Sequence, residues 1–420
     1  MESTYYFLNP WWENRTFDCG IPREPYLRRL PDMLGRRQVE VLIGSRRAGK
    51  TTIAKQLVNA MLQNGSSPND LVYLALDLPS LSGMTLSEHL RAIRKIHMHD
   101  RSRKIWLFLD EVQESPNWES ELKAQQDFEM VKIFATGSTA SLIKSQGGKL
   151  TGRQVVTTVY PLSFREFLLF RGGVPDMSED YKLERLADEY IRVGGYPEHV
   201  LNPSDEYLAN LVEDILARDL VRLYSIRRPA VLRDLLRLVA SAVASRTSYN
   251  RLSKLIGLSV DTVKEYIGHL EAAFLVSAME KWTTSWSDRV YSAKKLYLWD
   301  TGVKTVLTGP GDAGARAENA VWMELKRRST EAGYFAESER EVDFVVGSAG
   351  EPFPIEVKFV STLDWQDRRL SGLFLFLRRN PRSRRALVVT HRVEGRKEVD
   401  RCSIDAVPLW KFLLRSEQWV

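Results

Sequence analysis

The sequence predicts an α/β chain of several domains, the first of which is built on a parallel sheet. Three observations support this fold class. A glycine-rich loop connects an apolar strand to a helix near residue 44, a helical pattern begins near residue 176, and strands that carry acidic residues follow residue 296. The length of 420 residues fits several cores, because a domain usually holds roughly 100–200 residues. We divide the chain into an N-terminal segment (1–32), a parallel-sheet core (33–175), a helical lid (176–237), a helix-turn-helix with a wing (238–295) and a C-terminal α/β domain (296–420).

The composition is typical of a soluble globular protein, with 44% hydrophobic and 27% charged residues. No apolar run reaches the ~18 residues that a membrane-spanning helix needs. The opening residues MESTYYFLNP lack the basic-then-apolar layout of a secretory signal. We therefore expect a cytoplasmic protein with no membrane partner. Two cysteines, Cys19 and Cys402, are too few for a disulfide framework or a cysteine zinc site.

Basic residues are in excess and unevenly distributed. The net charge is +6 and the isoelectric point is near 9.1. Arginines concentrate between Arg218 and Arg237 and again between Arg368 and Arg401. Such clusters suit the phosphates of nucleic acid, so DNA is an expected partner. A solvated basic face or an acidic protein partner is the alternative.

Residues 44–51, GSRRAGKT, match the phosphate-binding pattern GxxxxGK[ST] and lie between the apolar run VEVLI and the helix former TTIAKQLVNAML. In such a loop the backbone N–H groups surround the β-phosphate, and Lys50 reaches the β- and γ-phosphate oxygens. The hydroxyl of Thr51 is a ligand for Mg²⁺. The predicted nucleotide contacts are Gly44, Arg46, Arg47, Ala48, Gly49, Lys50, Thr51 and Thr52.

Two further strands end in polar residues. KIWLFLDEV ends in Asp110, a predicted Mg²⁺ ligand, and Glu111, which is placed to polarise an attacking water. VKIFATGS ends in Thr136 and Ser138, which could bond the γ-phosphate or that water, or could cap the next helix. Parallel strands bring such ends to one edge of a sheet, where ligands bind.

A glycine-rich loop precedes Arg153. An arginine in this position could act as a finger on the γ-phosphate of a neighbouring subunit. An ordinary surface role is the alternative.

Together, GSRRAGKT, FLDEVQESPNWE, ATGS, LTGRQVVTTVYPLSFREFL and GGYPE resemble the prokaryotic AAA-type ATPases of the extended AAA/STAND kind, whose chains carry a C-terminal domain of unknown function. The resemblance extends from about Arg37 to about Lys358. It implies ATP as the nucleotide and a homo-oligomer as a possible assembly. It also implies that the turn at Gly195, Tyr196 and Pro197 contacts the adenine base. An inter-helix turn is the alternative.

SYNRLSKLIGLSVDTVKEYIGHLEAAFLVSAMEKW predicts a helix-turn-helix followed by a wing strand. Gly257 separates the two helices and Ser259 caps the second. The exposed face of the second helix would carry Asp261, Thr262, Lys264 and Glu265, a mixed charge that is poor for reading bases. Contact with duplex DNA and docking of a protein partner both stay open.

Acidic residues and a lysine mark the C-terminal domain. Glu318 lies on a helix, Asp343 on EVDFVV, and Glu356 and Lys358 share one face of PIEVKF. Two strand acids, a helix acid and a lysine suit metal-dependent phosphodiester hydrolysis. The pattern resembles the restriction-endonuclease-like fold with its D…ExK signature. That resemblance implies Glu318, Asp343 and Glu356 as ligands of Mg²⁺ or Mn²⁺ and Lys358 as the catalytic lysine.

The sequence departs from that signature in one respect: no clear glutamine-bearing helix follows Lys358, although Gln366 is near. A degenerate domain that binds nucleic acid without cutting it is therefore an alternative to an active nuclease. The leading hypothesis is an ATPase that moves a DNA-handling module in genome maintenance or defence. The competing hypothesis is a STAND-type switch in which ATP controls assembly with a protein partner and the C-terminal domain is a scaffold.

Overall fold

The computed structural model describes residues 2–137, 150 and 152–420. The chain divides into two compact units, Met1–Val159 and Tyr160–Val420. This division lies inside the range 33–175 that the sequence assigns to the parallel-sheet core. None of the helices in the described ranges is long and apolar enough to cross a membrane.

The first unit is built on a five-stranded sheet in the order β2-β3-β4-β1-β5, in which every neighbouring pair is parallel. Nearly all residues of the three middle strands are buried, as expected of a sheet covered on both faces. In register, Ala75 lies beside Asp110, and Ile43 lies beside Gly137 and Thr158. The carboxyl ends therefore meet at one edge. The strands are β1 Val39–Ile43, β2 Leu71–Ala75, β3 Ile105–Asp110, β4 Val131–Gly137 and β5 Gln154–Thr158.

Helices pack on both faces of this sheet and bury two apolar clusters. The longest described helix of the unit, α4, starts directly after the glycine-rich loop, and α5 starts at a capping box formed by Thr85 and Glu88. The helices are α1 Glu2–Leu8, α2 Glu24–Leu27, α3 Leu30–Gly35, α4 Lys50–Gln63, α5 Leu86–Ile96 and α6 Trp118–Phe128, with 3₁₀ turns at Pro10–Glu13, Pro68–Asp70 and Val112–Glu114.

The N-terminal segment is part of this unit. The fully buried Asn9 side chain donates to the carbonyl of Tyr73 on β2 at 3.0 Å and accepts from its N–H at 2.6 Å. The indole N–H groups of Trp11 and Trp12 both donate to the carbonyl of Leu71 at 2.9 Å. Side chains thus bond the free edge of β2 in place of another strand.

The second unit begins with a helical region and carries two sheets. A π-helical turn, Ile215–Val221, continues α10 into α11. The helices are α7 Phe164–Phe170, α8 Asp180–Val193, α9 Pro197–Leu201, α10 Asp205–Asp214, α11 Arg222–Tyr224, α12 Pro229–Ser241, α13 Tyr249–Ile256, α14 Val260–Ala272, α15 Trp286–Tyr291, α16 Thr301–Thr308, α17 Ala313–Arg327, α18 Ser371–Arg379 and α19 Leu409–Arg415, with 3₁₀ turns at Arg368–Leu370 and Ser416–Gln418.

The pair α13 and α14 lies in the chain between β6 and β7 of a small antiparallel sheet, whose strand order is β6-β8-β7. Gly257 ends α13 in the left-handed conformation, at φ 69°, and the Ser259 hydroxyl accepts from the N–H of Thr262 at 3.1 Å to start α14. These are the breaks expected from the sequence. The strands are β6 Arg246–Thr247, β7 Val276–Met279 and β8 Lys294–Leu298.

The second sheet has six strands in the order β13-β14-β12-β11-β10-β9. Strands β9, β10 and β11 form an antiparallel meander, and α18 crosses from β11 to β12, which pairs parallel with β11 and β14. The strands are β9 Ala332–Glu337, β10 Arg340–Val346, β11 Phe353–Lys358, β12 Arg385–Thr390, β13 Gly395–Val399 and β14 Cys402–Pro408.

Candidate functional site

The glycine-rich loop connects β1 to α4 through backbone conformations that favour glycine. Gly44 has φ +155°, and a Cβ there would lie 2.3 Å from the carbonyl oxygen of Val159. Gly49 has φ +101° and precedes the first residue of α4. A side chain at Gly44 would collide with backbone, so the close approach of this loop to the end of β5 requires glycine.

Lys50 is buried at the start of α4. Its ammonium donates to the carbonyls of Gly44 at 2.9 Å and Ser45 at 3.1 Å, so the side chain folds back over the loop. The buried guanidinium of Arg23 donates to the carbonyl of Ala48 at 3.0 Å. Arg23 was not predicted from the sequence, because nothing in GIPREPYL indicates which loop it reaches.

Asp110, at the end of β3, is the centre of a hydrogen-bonded cluster. The hydroxyls of Thr51 and Tyr73 each donate to its Oδ2 at 2.8 Å. The hydroxyl of Thr136, at the end of β4, donates to the other carboxylate oxygen. Burial, together with the Asp110 charge, raises the pKa of Tyr73 well above its ordinary value, so the phenol stays a donor. Tyr73 is a site residue that the sequence does not reveal, since an aromatic in a strand is typical of a core.

Glu111 follows Asp110 in the left-handed conformation, at φ 51°. Its N–H donates to the Thr136 hydroxyl at 3.2 Å, and the Gln113 amide donates to its carboxylate at 2.6 Å. The two neighbouring carboxylates therefore have different partners. That of Asp110 accepts from Thr51, Tyr73 and Thr136, whereas that of Glu111 accepts from Gln113. Gln113, which orients the Glu111 carboxylate, was also not predicted.

The Thr51 and Asp110 oxygens fit a magnesium ion. Mg²⁺ prefers hard oxygen ligands and usually takes one or two from protein, leaving the rest to water and phosphate. These two oxygens are 2.8 Å apart and adjoin Lys50, the residue expected at the triphosphate. Thr51 and Asp110 are the ligands that the sequence predicts, and magnesium binding by them remains a prediction.

Residues 36–168 match the family described as an AAA domain. This segment carries the phosphate loop and is similar to AAA domains, and we refer to it below as the AAA domain. A second match, to a domain of unknown function (DUF8612), covers residues 184–313 and lies in the second unit.

Similar chains occur in bacteria and archaea. An uncharacterised protein of Haemophilus influenzae is 26% identical over 350 residues, which is 81% of this chain and 87% of that protein. The uncharacterised protein MJ1544 of Methanocaldococcus jannaschii is 28% identical over 327 residues, which is 74% of this chain and 72% of that protein. Both similarities extend well beyond the AAA domain.

Two solved structures are similar at lower identity. The Walker-type ATPase PABY2304 of Pyrococcus abyssi is 16% identical, with a TM-score of 0.41, and the match covers 68% of this chain and 95% of that one. AMPPCP-bound DnaA from Aquifex aeolicus is 20% identical, with a TM-score of 0.26, and the match covers 64% of this chain and 93% of that one.

The remaining predicted nucleotide residues of the AAA domain divide by position. Arg46, Arg47, Ala48 and Thr52 belong to the loop and the first turn of α4, as expected. Ser138 lies outside the described residues. The contacts of these side chains with a nucleotide remain predictions.

Arg153 lies at the amino end of β5, because Gln154 pairs with Val39 at the start of β1. Arg153 is five residues before Thr158, which ends β5 at the phosphate-loop edge, so at ~3.3 Å per residue the two are about 16 Å apart. The Arg153 guanidinium is ion-paired with Asp127. Arg153 is therefore not close to the phosphate loop of its own AAA domain, and a role on a neighbouring subunit remains a prediction.

In the second unit, Pro197 is the first residue of α9, and Gly195 precedes it in a closely packed turn. The Gly195 N–H donates to the Asp300 carboxylate at 2.6 Å, and a Cβ on Gly195 would lie 2.4 Å from the carbonyl oxygen of Leu162. This close packing alone requires glycine at position 195, whether or not a nucleotide contacts the turn. The contact of Pro197 with adenine remains a prediction.

The predicted C-terminal constellation converges in the second unit. Lys358 forms an ion pair with Glu356, and its Nζ lies 4.0 Å from Asp343 Oδ2. The N–H of Asp343 donates to Glu356 Oε2 at 3.2 Å. Burial and the Asp343 charge raise the pKa of Glu356 to about 8. The hairpin of β10 and β11 thus brings these three residues together, as the thirteen-residue spacing predicts.

Glu318, on α17, belongs to the same cluster but contacts a residue that was not predicted. The Lys295 ammonium, from β8, lies 2.6 Å from the Glu318 carboxylate and 3.0 Å from that of Asp343. The Tyr297 hydroxyl also donates to Glu318, at 2.7 Å. Burial and the Asp343 charge raise the pKa of Glu318 to about 7.

This donor set does not fit the divalent metal ion that the sequence predicts there. Two of the three expected ligands, Glu318 and Asp343, are bonded to the Lys295 ammonium, and the third, Glu356, is paired with Lys358. Within the described residues, no group of three or more histidine, cysteine, aspartate or glutamate side chains is arranged to hold a metal ion. The Lys295 ammonium lies within hydrogen-bonding distance of two of these acids and already compensates part of their charge.

Proposed function

We propose that this chain binds and hydrolyses ATP in its AAA domain and that the nucleotide state controls a second unit that handles DNA. The proposal of ATP binding and hydrolysis rests on the hydrogen bond between Thr51 and Asp110, with Glu111 next in the chain. It joins a phosphate loop to an acidic strand end, the arrangement required for hydrolysis of a bound nucleotide.

In this proposal Lys50 leaves the loop carbonyls and donates to the β- and γ-phosphate oxygens, while the backbone N–H groups of the loop surround the β-phosphate. Thr51 and Asp110 would hold the magnesium ion, which neutralises charge on the phosphate oxygens when it is bound. Tyr73 and Thr136 fix the Asp110 carboxylate in position.

Glu111 would orient the attacking water and accept its proton. Its carboxylate does not bond Thr51, Tyr73 or Thr136, which bond Asp110 instead, and Gln113 holds it in place. This division of work between two adjacent acids supports hydrolysis over simple binding. Adenine contact by Pro197 and a trans-acting Arg153 are further parts of the proposal.

Two variants test this half. Lys50→Ala should remove binding of a fluorescent ATP analogue, because the ammonium expected to contact the β- and γ-phosphate oxygens is lost. Glu111→Gln should bind ATP and release little phosphate, because an amide cannot accept the proton. Glu114→Gln, an exposed neighbour on the same turn, is the matched control and should hydrolyse at the parent rate. A Glu111→Gln protein that hydrolyses ATP at the parent rate would contradict the assignment.

The second half, DNA handling, is supported by the order of elements in the C-terminal sheet. A helix, an antiparallel meander, a crossing helix and parallel strands follow one another from α17 to β12, and this arrangement brings Asp343, Glu356 and Lys358 to one place. We propose a restriction-endonuclease-like fold on this basis. We propose binding without metal-dependent cutting, because the ligand set does not fit a metal ion.

Exposed arginines provide a surface for phosphates. These arginines lie in the last turn of α18, in the loop after it and at the start of β12. They include Arg378, Arg379, Arg382, Arg384 and Arg385. Glu337 pairs with Arg379 at 3.1 Å, and the guanidinium of Arg385 packs over aromatic rings.

A DNA-binding measurement tests this surface. Affinity for duplex DNA should fall steeply with salt, because bound phosphates release counterions. A variant with Arg382, Arg384 and Arg385 replaced by alanine should bind more weakly and show a shallower salt slope. The matched control replaces three exposed arginines of the first unit, Arg28, Arg37 and Arg101. Equal losses in both triple variants would contradict the proposed surface.

A second candidate function is a STAND-type switch. The observation that favours it is the exposed face of α14, where Asp261 and Glu265 accompany Lys264, and where Lys264 lies 3.6 Å from Asp261. We propose α14 as the second helix of a winged helix, and this face suits a protein partner better than a base edge. Under the switch hypothesis, ATP should change the sedimentation coefficient. A profile that is independent of ATP would count against it.

A further inference from the structure

Lys295 is a fully buried lysine at the centre of an acidic cluster. It lies on β8, the middle strand of the three-stranded sheet, and its side chain has no exposed surface. Its ammonium is 2.6 Å from Glu318, 2.7 Å from Glu341 and 3.0 Å from Asp343. An ammonium has three N–H donors, and each can meet one of these carboxylates.

The three acids reach this point from two elements. Glu318 belongs to α17, whereas Glu341 and Asp343 are two residues apart on β10 and therefore share a face of that strand. Other groups bond the second oxygens of Glu341 and Asp343: Arg246 lies 2.8 Å from Glu341, and the Val357 N–H donates to Asp343 at 2.9 Å.

The electrostatics are consistent with a permanent charge at this point. Three carboxylates lie within 3.0 Å of the Lys295 nitrogen and favour the charged form of the amine, so the side chain is an ammonium. A divalent ion would need oxygens of these carboxylates at about 2.0–2.6 Å. An ammonium within 3.0 Å of all three acids would repel a divalent ion bound to them.

We propose that the Lys295 ammonium is the built-in cation of this cluster and takes the position of the metal ion that the Glu318 and Asp343 carboxylates would otherwise bind. The ammonium also joins β8 of the small sheet to α17 and β10, and so fixes the six-stranded sheet to its neighbour without a metal. The inference rests on the proposed nuclease-like arrangement for its functional meaning. Its geometry does not depend on ATP or DNA.

Manganese binding by the full chain, followed by electron paramagnetic resonance without nucleotide or DNA, tests this assignment. The wild type should show no Mn²⁺ site that Asp343→Asn removes. Lys295→Met should create such a site, with affinity higher by at least about tenfold, because the repelling charge is gone. The double variant Lys295→Met with Asp343→Asn should lose it again.

Lys304→Met is the matched control, because Lys304 is also buried but donates to the Ala240 carbonyl at 3.0 Å, outside the cluster. It should gain no Mn²⁺ site. A wild-type site that Asp343→Asn removes would overturn the proposal, whether or not Lys295→Met folds. A folded Lys295→Met protein with no Asp343-dependent site would overturn it as well. Because the assay contains no DNA, its failure is distinct from failure of the DNA-handling proposal.

Discussion

Replacing Tyr73 with phenylalanine should weaken the AAA domain and its catalysis together. The Tyr73 hydroxyl donates to Asp110 at 2.8 Å, and both side chains are buried. A hydrogen bond to a charged group contributes about 1.5–3 kcal/mol. Phenylalanine fills the same volume, so no cavity adds to that loss. We therefore expect the free energy of unfolding of the AAA domain to fall by about 1.5–3 kcal/mol.

For a domain of this size, each kcal/mol lowers the midpoint by about 2–4 °C, so the transition should shift by about 3–12 °C in scanning calorimetry. ATP turnover should also fall, because Asp110 keeps Thr51 and Thr136 as donors but loses its third. Tyr181→Phe is the control, since that ring is 63% exposed. If Tyr73→Phe melts and hydrolyses ATP as the wild type does, the proposed support of Asp110 is refuted.

Two further substitutions probe the second unit. The buried Asn319 amide bonds both the N–H and the carbonyl of Leu298 at 2.8 Å. Asn319→Leu leaves these two backbone groups without that partner, so the free energy of unfolding measured in urea should fall by about 2–6 kcal/mol. An unchanged midpoint would contradict this. Burial raises the pKa of Glu271 above its ordinary value, so the folded state binds this proton more tightly than the unfolded state does. The stability that the bound proton contributes is therefore lost as pH rises through the raised pKa. Glu271→Gln cannot titrate and should gain stability over the wild type from mildly acidic to neutral pH; a difference that does not vary with pH would refute the reasoning.

Local patterns in the sequence predicted that the phosphate loop and the acidic strand end would lie together. The phosphate loop and the acids at 110 and 111 are each read from a few neighbouring residues, and parallel strands must place their ends at one edge. The convergence of Asp343, Glu356 and Lys358 was also predictable, because a hairpin of known spacing joins them. In each case the chemistry and the geometry are encoded within one short segment.

Contacts between distant segments were not predictable in this way. Lys295 belongs to KKLYL, where a lysine in an alternating strand suggests a solvated face, yet it contacts acids 23 to 48 residues further along the chain. Tyr73 suggests a core aromatic, since nothing local shows that its hydroxyl meets Asp110. The sequence therefore indicated the acids of both sites and missed the groups that neutralise or orient them.

The side chains that bond β2 at its free edge have a consequence for association. An unpaired strand edge is a template on which another chain can add a strand and begin aggregation. Asn9, Trp11 and Trp12 bond the backbone of Leu71 and Tyr73 and so leave no template there. Asn9, Trp11 and Trp12 thus hinder edge-to-edge pairing at β2. A chain trimmed to begin at residue 33 would expose this edge and tend to self-associate.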